Sequence, residues 1–171
     1  PQLVAGPIER ADKLLPQFQF NHNKFKFENF ISGSTQVLFG LYKKVVVADL
    51  IAIYVESIYG THELYTGFTL LFATYLFAIQ IYCDFSGYTD IAIGSARILG
   101  YNLMENFRTP YFSKSITEFW RRWHISLSSW LRDYLYINLG GNRKGRILTY
   151  RNLMITMLLG GLWHGASWNF V

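Results

Sequence analysis

Two long stretches of the chain, residues 64–83 and 152–171, contain no Lys, Arg, Asp or Glu. Each has about the 20 residues that a helix needs to cross a bilayer. Four polar side chains interrupt the first stretch: Thr66, Thr69, Thr74 and Gln80. Such interruptions are typical of membrane helices that pack against other helices, so the pattern predicts a helical bundle rather than a simple anchor.

The remaining pattern predicts further helices around these stretches. Prolines at positions 1, 7 and 16 indicate that residues 1–29 form a loop with short helical turns. A helical pattern follows over residues 30–59, with Lys43 and Lys44 in its middle. We expect this helix to lie partly at the membrane interface, with both lysines extending towards headgroups.

A long helix is predicted over residues 64–99, and its second half contains Asp84, Asp90 and Arg97. A charge at the bilayer centre costs roughly 2.5–3.5 kcal/mol on insertion scales. These side chains should therefore face protein, water or headgroups. Structural pairing is the favoured role, and direct contact with a substrate is the alternative.

An amphipathic helix is predicted over residues 115–136. Ser115 and Glu118 match a capping box at its start. At 100° per residue, one face is apolar: Ile116, Trp120, His124, Leu127, Leu131 and Leu135. The opposite face is polar: Glu118, Arg121, Arg122, Ser129, Arg132 and Asp133. A histidine on an apolar face is more often a core residue than a ligand, and both roles stay open for His124.

Composition supports membrane residence. The chain is 51% hydrophobic and only 16% charged, against about 25% charged residues in soluble domains. The single cysteine, Cys83, excludes an internal disulfide and a cysteine-rich metal site.

The charge is concentrated in one region. Residues 108–151 contain nine Lys or Arg against Glu118 and Asp133. Basic residues beside apolar spans favour the cytoplasmic side. Nucleic-acid binding is disfavoured because such a domain has no use for the apolar spans, and contact with anionic headgroups explains the basic residues better.

His164 is the sharpest candidate for chemistry. It lies in the second uncharged stretch, with Gly160, Gly161 and Gly165 nearby. An ionisable side chain at membrane depth tends to be functional. Glycines would let a substrate or another chain approach the ring. A core histidine bonded to a neighbouring helix is an equally weighted alternative.

Three stretches together resemble the membrane-bound O-acyltransferase family: residues 82–90 (YCDFSGYTD), 119–128 (FWRRWHISLS) and 162–166 (LWHGA). The opening residues 1–8 (PQLVAGPI) fit as well. WLRDYLY at residues 130–136, followed by LGGN, resembles the bacterial alginate O-acetyltransferase branch. The branch that moves D-alanine onto teichoic acids is a near neighbour. Many relatives have proline at the position of Asn138, a change that affects a turn.

The resemblance implies an all-α, polytopic helical membrane protein. Residues 1–171 would be a single domain, the central part of a longer bundle, with membrane and interfacial helices over residues 30–171. It implies transfer of an acyl group, expected to be acetyl, from a cytosolic thioester such as acetyl-CoA to a hydroxyl, with no bound cofactor or metal. The expected acceptor is a cell-surface polysaccharide or an extracytoplasmic acyl-relay protein. The expected location is the bacterial cytoplasmic membrane, with the lipid bilayer as partner and no nucleic acid.

The resemblance also assigns site residues. His164 matches the histidine taken as catalytic, and His124 matches the second polar position. We expect Trp120, Trp163 and Asp84 to contact substrate. Burial would keep the His164 imidazole neutral and able to accept a proton. Two rival functions are a transporter that uses Asp84, Asp90 and the histidines as a polar pathway, and a structural membrane subunit.

The basic cluster predicts that the loop at residues 140–146 faces the cytoplasm. Lys144→Cys in a full-length protein otherwise free of cysteine should resist an impermeant thiol reagent in intact cells and react after permeabilisation. Rapid labelling from outside would reverse the predicted orientation.

Overall fold

The computed structural model describes residues 6–19 and 25–165, and all regular secondary structure in these ranges is helical. The chain divides into two compact units, residues 1–106 and 107–171. The helices of unit 1 are α1 Ala11–Gln19, α2 Phe27–Leu41, α3 Asp49–Gly60 and α4 Gly67–Ile98. The helices of unit 2 are α5 Ile116–Arg122, α6 Ile125–Leu131 and α7 Arg146–His164.

Unit 1 is built on a helical hairpin. A π-helical segment, Tyr42–Ala48, joins α2 to α3, so the chain stays helical from Phe27 to Gly60. A short connection with a 3₁₀ turn at His62–Leu64 reverses its direction into α4. The helix predicted over residues 64–99 is therefore confirmed to within about three residues. The helix predicted over residues 30–59 corresponds to the helical stretch from Phe27 to Gly60.

Two glycine pairs bring α2 and α4 into backbone contact. A Cβ at Gly87 would lie 2.7 Å from the Gly40 carbonyl oxygen, and a Cβ at Gly94 would lie 2.6 Å from the Gly33 carbonyl oxygen. No side chain fits at such distances. Both pairs are seven residues apart on their helices, so the contact recurs every two turns along the antiparallel hairpin.

Four charged residues of this hairpin are paired across it. Lys43 forms an ion pair with Asp90 and donates to Ser86 Oγ at 3.1 Å. Lys44 forms an ion pair with Asp84. The Lys43 side chain is 14% exposed, so it packs towards α4 rather than extending towards headgroups, and Asp90 offsets the cost of its charge. The Lys44–Asp84 pair remains 40% and 51% exposed.

Among the described residues, α4 is the one helix that is long and apolar enough to cross a membrane. Its 32 residues correspond to about 48 Å at 1.5 Å per residue. The second uncharged stretch, residues 152–171, begins inside α7, whose first turns contain Arg146 and Arg151. Residues 166–171 of this stretch lie outside the described part.

Unit 2 differs from the single amphipathic helix predicted over residues 115–136. The structure has two helices there: α5 ends at Arg122, and α6 begins at Ile125. A π-helical segment, Arg132–Tyr136, continues α6 before the loop that leads to α7. The predicted apolar face does not extend through this break, and Ile116, assigned to it, is exposed.

The glycine contacts predict a specific packing defect. Gly87→Ala should lower the thermal stability of the full-length protein in detergent, because the added methyl meets backbone rather than a flexible side chain. Overpacking of this kind typically costs about 1–3 kcal/mol. Gly60→Ala is the matched control, since a Cβ there has nothing within 4 Å. Equal melting temperatures for the two variants would contradict the contact.

Candidate active site

His124 lies at the break between α5 and α6, in a left-handed backbone conformation with φ 43° and ψ 55°. Such conformations are uncommon in residues other than glycine, although histidine adopts them more readily than most. The break exists without a glycine or proline in it. Surrounding contacts must therefore hold the turn.

Hydrogen bonds before the break fix the end of α5. The Arg122 carbonyl accepts from the Arg108 backbone N–H at 2.9 Å, and the Arg122 guanidinium binds Glu118 at 2.6 Å. At the start of α5, Ser115 Oγ accepts from the Glu118 N–H at 3.1 Å, which confirms that half of the capping box. The other half differs, because the Glu118 carboxylate accepts from Lys114 N at 2.8 Å.

Aromatic rings fill the space beside the turn. The Trp123 ring stacks on Phe119 with centroids 5.5 Å apart and meets Phe107 edge-on at 5.1 Å. Tyr111 contacts both Phe119 and Trp123. This cluster holds the residue immediately before His124, so the backbone reversal occurs at a fixed place.

The His124 side chain is buried, with 5% of its surface exposed. Burial, reinforced by the nearby charge of His164, lowers the pKa of His124 from 6.5 to about 4. Its Nδ1 lies 3.4 Å from the hydroxyl of Ser126, which is itself buried. At neutral pH the ring is therefore uncharged, and it can offer one hydrogen-bond donor and one acceptor.

His164 is the last residue of α7, and its side chain is exposed. Its ring lies edge-on to Trp163, with centroids 5.2 Å apart. The expectation that this imidazole is buried is therefore wrong, and the burial argument applies to His124 instead. Because the charge of His164 lowers the pKa of His124, the fold brings the two predicted histidines into electrostatic contact.

Of the three glycines near His164, Gly160 has a described packing contact. A Cβ at Gly160 would lie 3.2 Å from Leu131 Cδ1, so this glycine lets α7 pack against α6. Gly161 is half-buried in α7, and Gly165 follows the helix. The described contacts of Gly160 are thus with protein.

The predicted substrate residues are divided between the two units. Trp120 and Trp163 belong to unit 2 and are 39% and 48% exposed, so both present ring surface. Asp84 belongs to unit 1, where its carboxylate binds Lys44. Sequence reasoning missed Ser126 and Arg122. The available signal for Ser126 was its spacing of two from His124 at the start of a helix, where hydroxyls often bond to nearby groups.

The sequence model of the membrane-bound O-acyltransferase family matches residues 1–171. The chain belongs to this family. It is 52% identical over all of its 171 residues to the probable alginate O-acetylase AlgI of Pseudomonas putida, of which it covers 35%. It is 41% identical to the peptidoglycan O-acetyltransferase of Helicobacter pylori, of which it covers 33%.

A more distant relative is the teichoic acid D-alanyltransferase of Bacillus subtilis. That protein is 30% identical over all of this chain, which covers 45% of it. The chain thus spans between a third and a half of the length of these relatives. The order of identity places the chain nearer to the relatives named for acetyl transfer than to the one named for D-alanyl transfer.

The lowered pKa of His124 predicts a pH-dependent stability. Between pH 6.5 and about pH 4 the unfolded state binds a proton that the folded ring does not, so stability falls as the pH falls through this window. His124→Asn should lose less stability than wild type on going from pH 7 to pH 4, by on the order of 2–3 kcal/mol. Asparagine tolerates the left-handed backbone, so the substitution removes the titrating group with little added strain.

The measurement is the thermal midpoint of the full-length protein in detergent at each pH. His62→Asn, at an exposed histidine of unit 1, controls for loss of an imidazole. Identical pH dependence of wild type and His124→Asn would contradict a buried neutral ring.

Proposed function

We propose that the full-length protein is a multi-pass O-acyltransferase of the bacterial cytoplasmic membrane. It transfers an acetyl group from a cytosolic thioester, acetyl-CoA or a similar donor, to a hydroxyl, in service of the O-acetylation of a cell-surface polysaccharide. The acceptor is either the polysaccharide or an extracytoplasmic relay protein that passes the acyl group on. The observation that carries this proposal is the unequal histidine pair of unit 2, one ring buried and held neutral and the other exposed.

The two rings have different chemical tasks in this proposal. His164 takes the proton from the attacking hydroxyl as its oxygen bonds to the thioester carbonyl carbon. The carbon–sulfur bond then breaks, and the imidazolium returns the proton to the departing thiolate. A positioned general base commonly contributes about 10²–10⁴-fold.

His124 is too weakly basic to share that task. Its neutral ring donates a hydrogen bond, either to orient His164 or to the carbonyl oxygen as negative charge develops there. Trp120 and Trp163 are proposed to line the substrate site with their exposed ring surface. A substrate contact by Asp84 would have to displace Lys44.

Direct transfer is favoured over a serine acyl-enzyme, because the sequence lacks a Gly-x-Ser-x-Gly nucleophile motif. D-alanyl transfer to teichoic acid is the second candidate, supported by the 30% identity to the Bacillus subtilis D-alanyltransferase. A transporter would move a solute without forming an ester, and a structural subunit would tolerate loss of His164.

The direct test is mass spectrometry of ester-linked groups on surface polysaccharide from cells with and without the full-length protein. Acetyl esters that depend on the protein support acetyl transfer. D-alanyl esters would select the second candidate, and unchanged ester content with altered solute uptake would favour a transporter.

His164→Ala should reduce acyl transfer by about 10²-fold or more, in line with the loss of a general base. Because the side chain is exposed at the end of α7, extraction and thermal stability should remain near those of wild type. The assay is the rate of ester formation per folded protein. A well-folded His164→Ala protein with the wild-type rate would overturn the mechanism.

His124→Asn and His124→Ala separate hydrogen bonding from packing at the second position. Both remove the imidazole, but asparagine keeps a donor, so it should retain more activity than alanine. Equal loss in both variants would indicate that the ring itself is required.

A further inference from the structure

We propose that the loop before α7, together with the first residue of that helix, is a binding surface for acidic phospholipid headgroups. Three side chains form this basic loop surface: Arg143, Lys144 and Arg146. All three are exposed. The inference concerns lipid recognition and does not depend on the proposed acyl transfer.

The basic loop surface has no acidic counterpart near it in the sequence. Residues 134–171 contain no Asp or Glu. Within the described ranges, none of the three side chains forms an ion pair with a carboxylate. Asp133 itself binds Arg132 at 2.7 Å. The positive charge of this loop is therefore available to an external anion.

The loop backbone is held in place, so the three charges are displayed from a fixed support. Gly140, Gly141 and Gly145 have φ of 108°, 55° and 88°, conformations that side chains rarely adopt. Asn152 of α7, 1% exposed, donates from Nδ2 to the Gly141 carbonyl at 2.9 Å. A fixed loop loses less entropy on binding than a mobile one.

The neighbours of the loop favour a lipid surface over a soluble anion. Ile147 and Tyr150, in the first turns of α7, are 85% and 67% exposed. Basic side chains beside exposed aliphatic and aromatic ones are typical of segments at the membrane interface, where charges meet headgroups and apolar groups enter the acyl boundary. A site for a soluble phosphate would gain nothing from those two side chains. The family's membrane residence supplies the surface.

The test uses the full-length protein in lipid nanodiscs that contain phosphatidylcholine alone or mixed with phosphatidylglycerol. Lipid retained after detergent exchange is quantified by mass spectrometry, and the thermal midpoint is measured in both discs. Each basic residue near an acidic membrane surface contributes about 1 kcal/mol to the free energy of binding, or roughly fivefold in the association constant. Arg143→Gln/Lys144→Gln/Arg146→Gln should therefore reduce the enrichment of phosphatidylglycerol by at least about tenfold.

Lys13→Gln/Lys26→Gln is the control, because it removes exposed charges that lie outside the basic cluster at residues 108–151. It should keep the wild-type enrichment. Arg143→Lys/Arg146→Lys retains the charge and should also keep it, which separates loss of binding from loss of folding. Equal enrichment in the loop variant and the control would overturn the proposal. So would a loop variant whose only change is a raised KM for the soluble thioester donor, independent of lipid composition.

Discussion

Backbone contact between α2 and α4 is the constraint on which unit 1 depends. In an apolar environment helices gain little from hydrophobic burial, so association relies on close packing and polar contacts. The pairs Gly33–Gly94 and Gly40–Gly87 provide the close packing. This approach brings the lysines of the adjoining π-helical segment within reach of Asp84 and Asp90. Two charge pairs that would be costly in lipid become tolerable because each charge meets its partner at a short distance.

Unit 2 depends on a different local constraint, the left-handed backbone at His124. The Arg122 carbonyl, the Arg122–Glu118 ion pair and the stacked Trp123 ring each hold one side of the turn. This turn places the His124 ring at the start of α6, where it is buried and lies beside the Ser126 hydroxyl. A continuous helix would not place the ring there.

The sequence pattern correctly predicted the helix whose formation depends on the residues of its own stretch. The helix over residues 64–99 followed from an uncharged stretch, and α4 occupies Gly67–Ile98. The break at His124 could not be predicted in this way, because residues 116–131 contain no glycine or proline and keep a helical period. The contacts that hold it include the Arg108–Arg122 backbone hydrogen bond and the aromatic cluster around Trp123, and the helical period of these residues does not reveal them. The partners of Lys43 and Lys44 were hidden for the same reason, since Asp90 lies 47 positions from Lys43 and Asp84 lies 40 positions from Lys44.

Unequal burial explains why two histidines, rather than one, suit the proposed chemistry. A general base works best when its pKa is near the operating pH, and a ring with a pKa of about 4 accepts a proton poorly there. The same ring is a dependable neutral hydrogen-bond donor, because acid must be strong before it becomes charged. Protonation of His164 during turnover would further disfavour charge on His124, since the two rings repel when both are protonated. The buried ring therefore stays uncharged near neutral pH, and the proposed mechanism leaves proton transfer to the exposed ring.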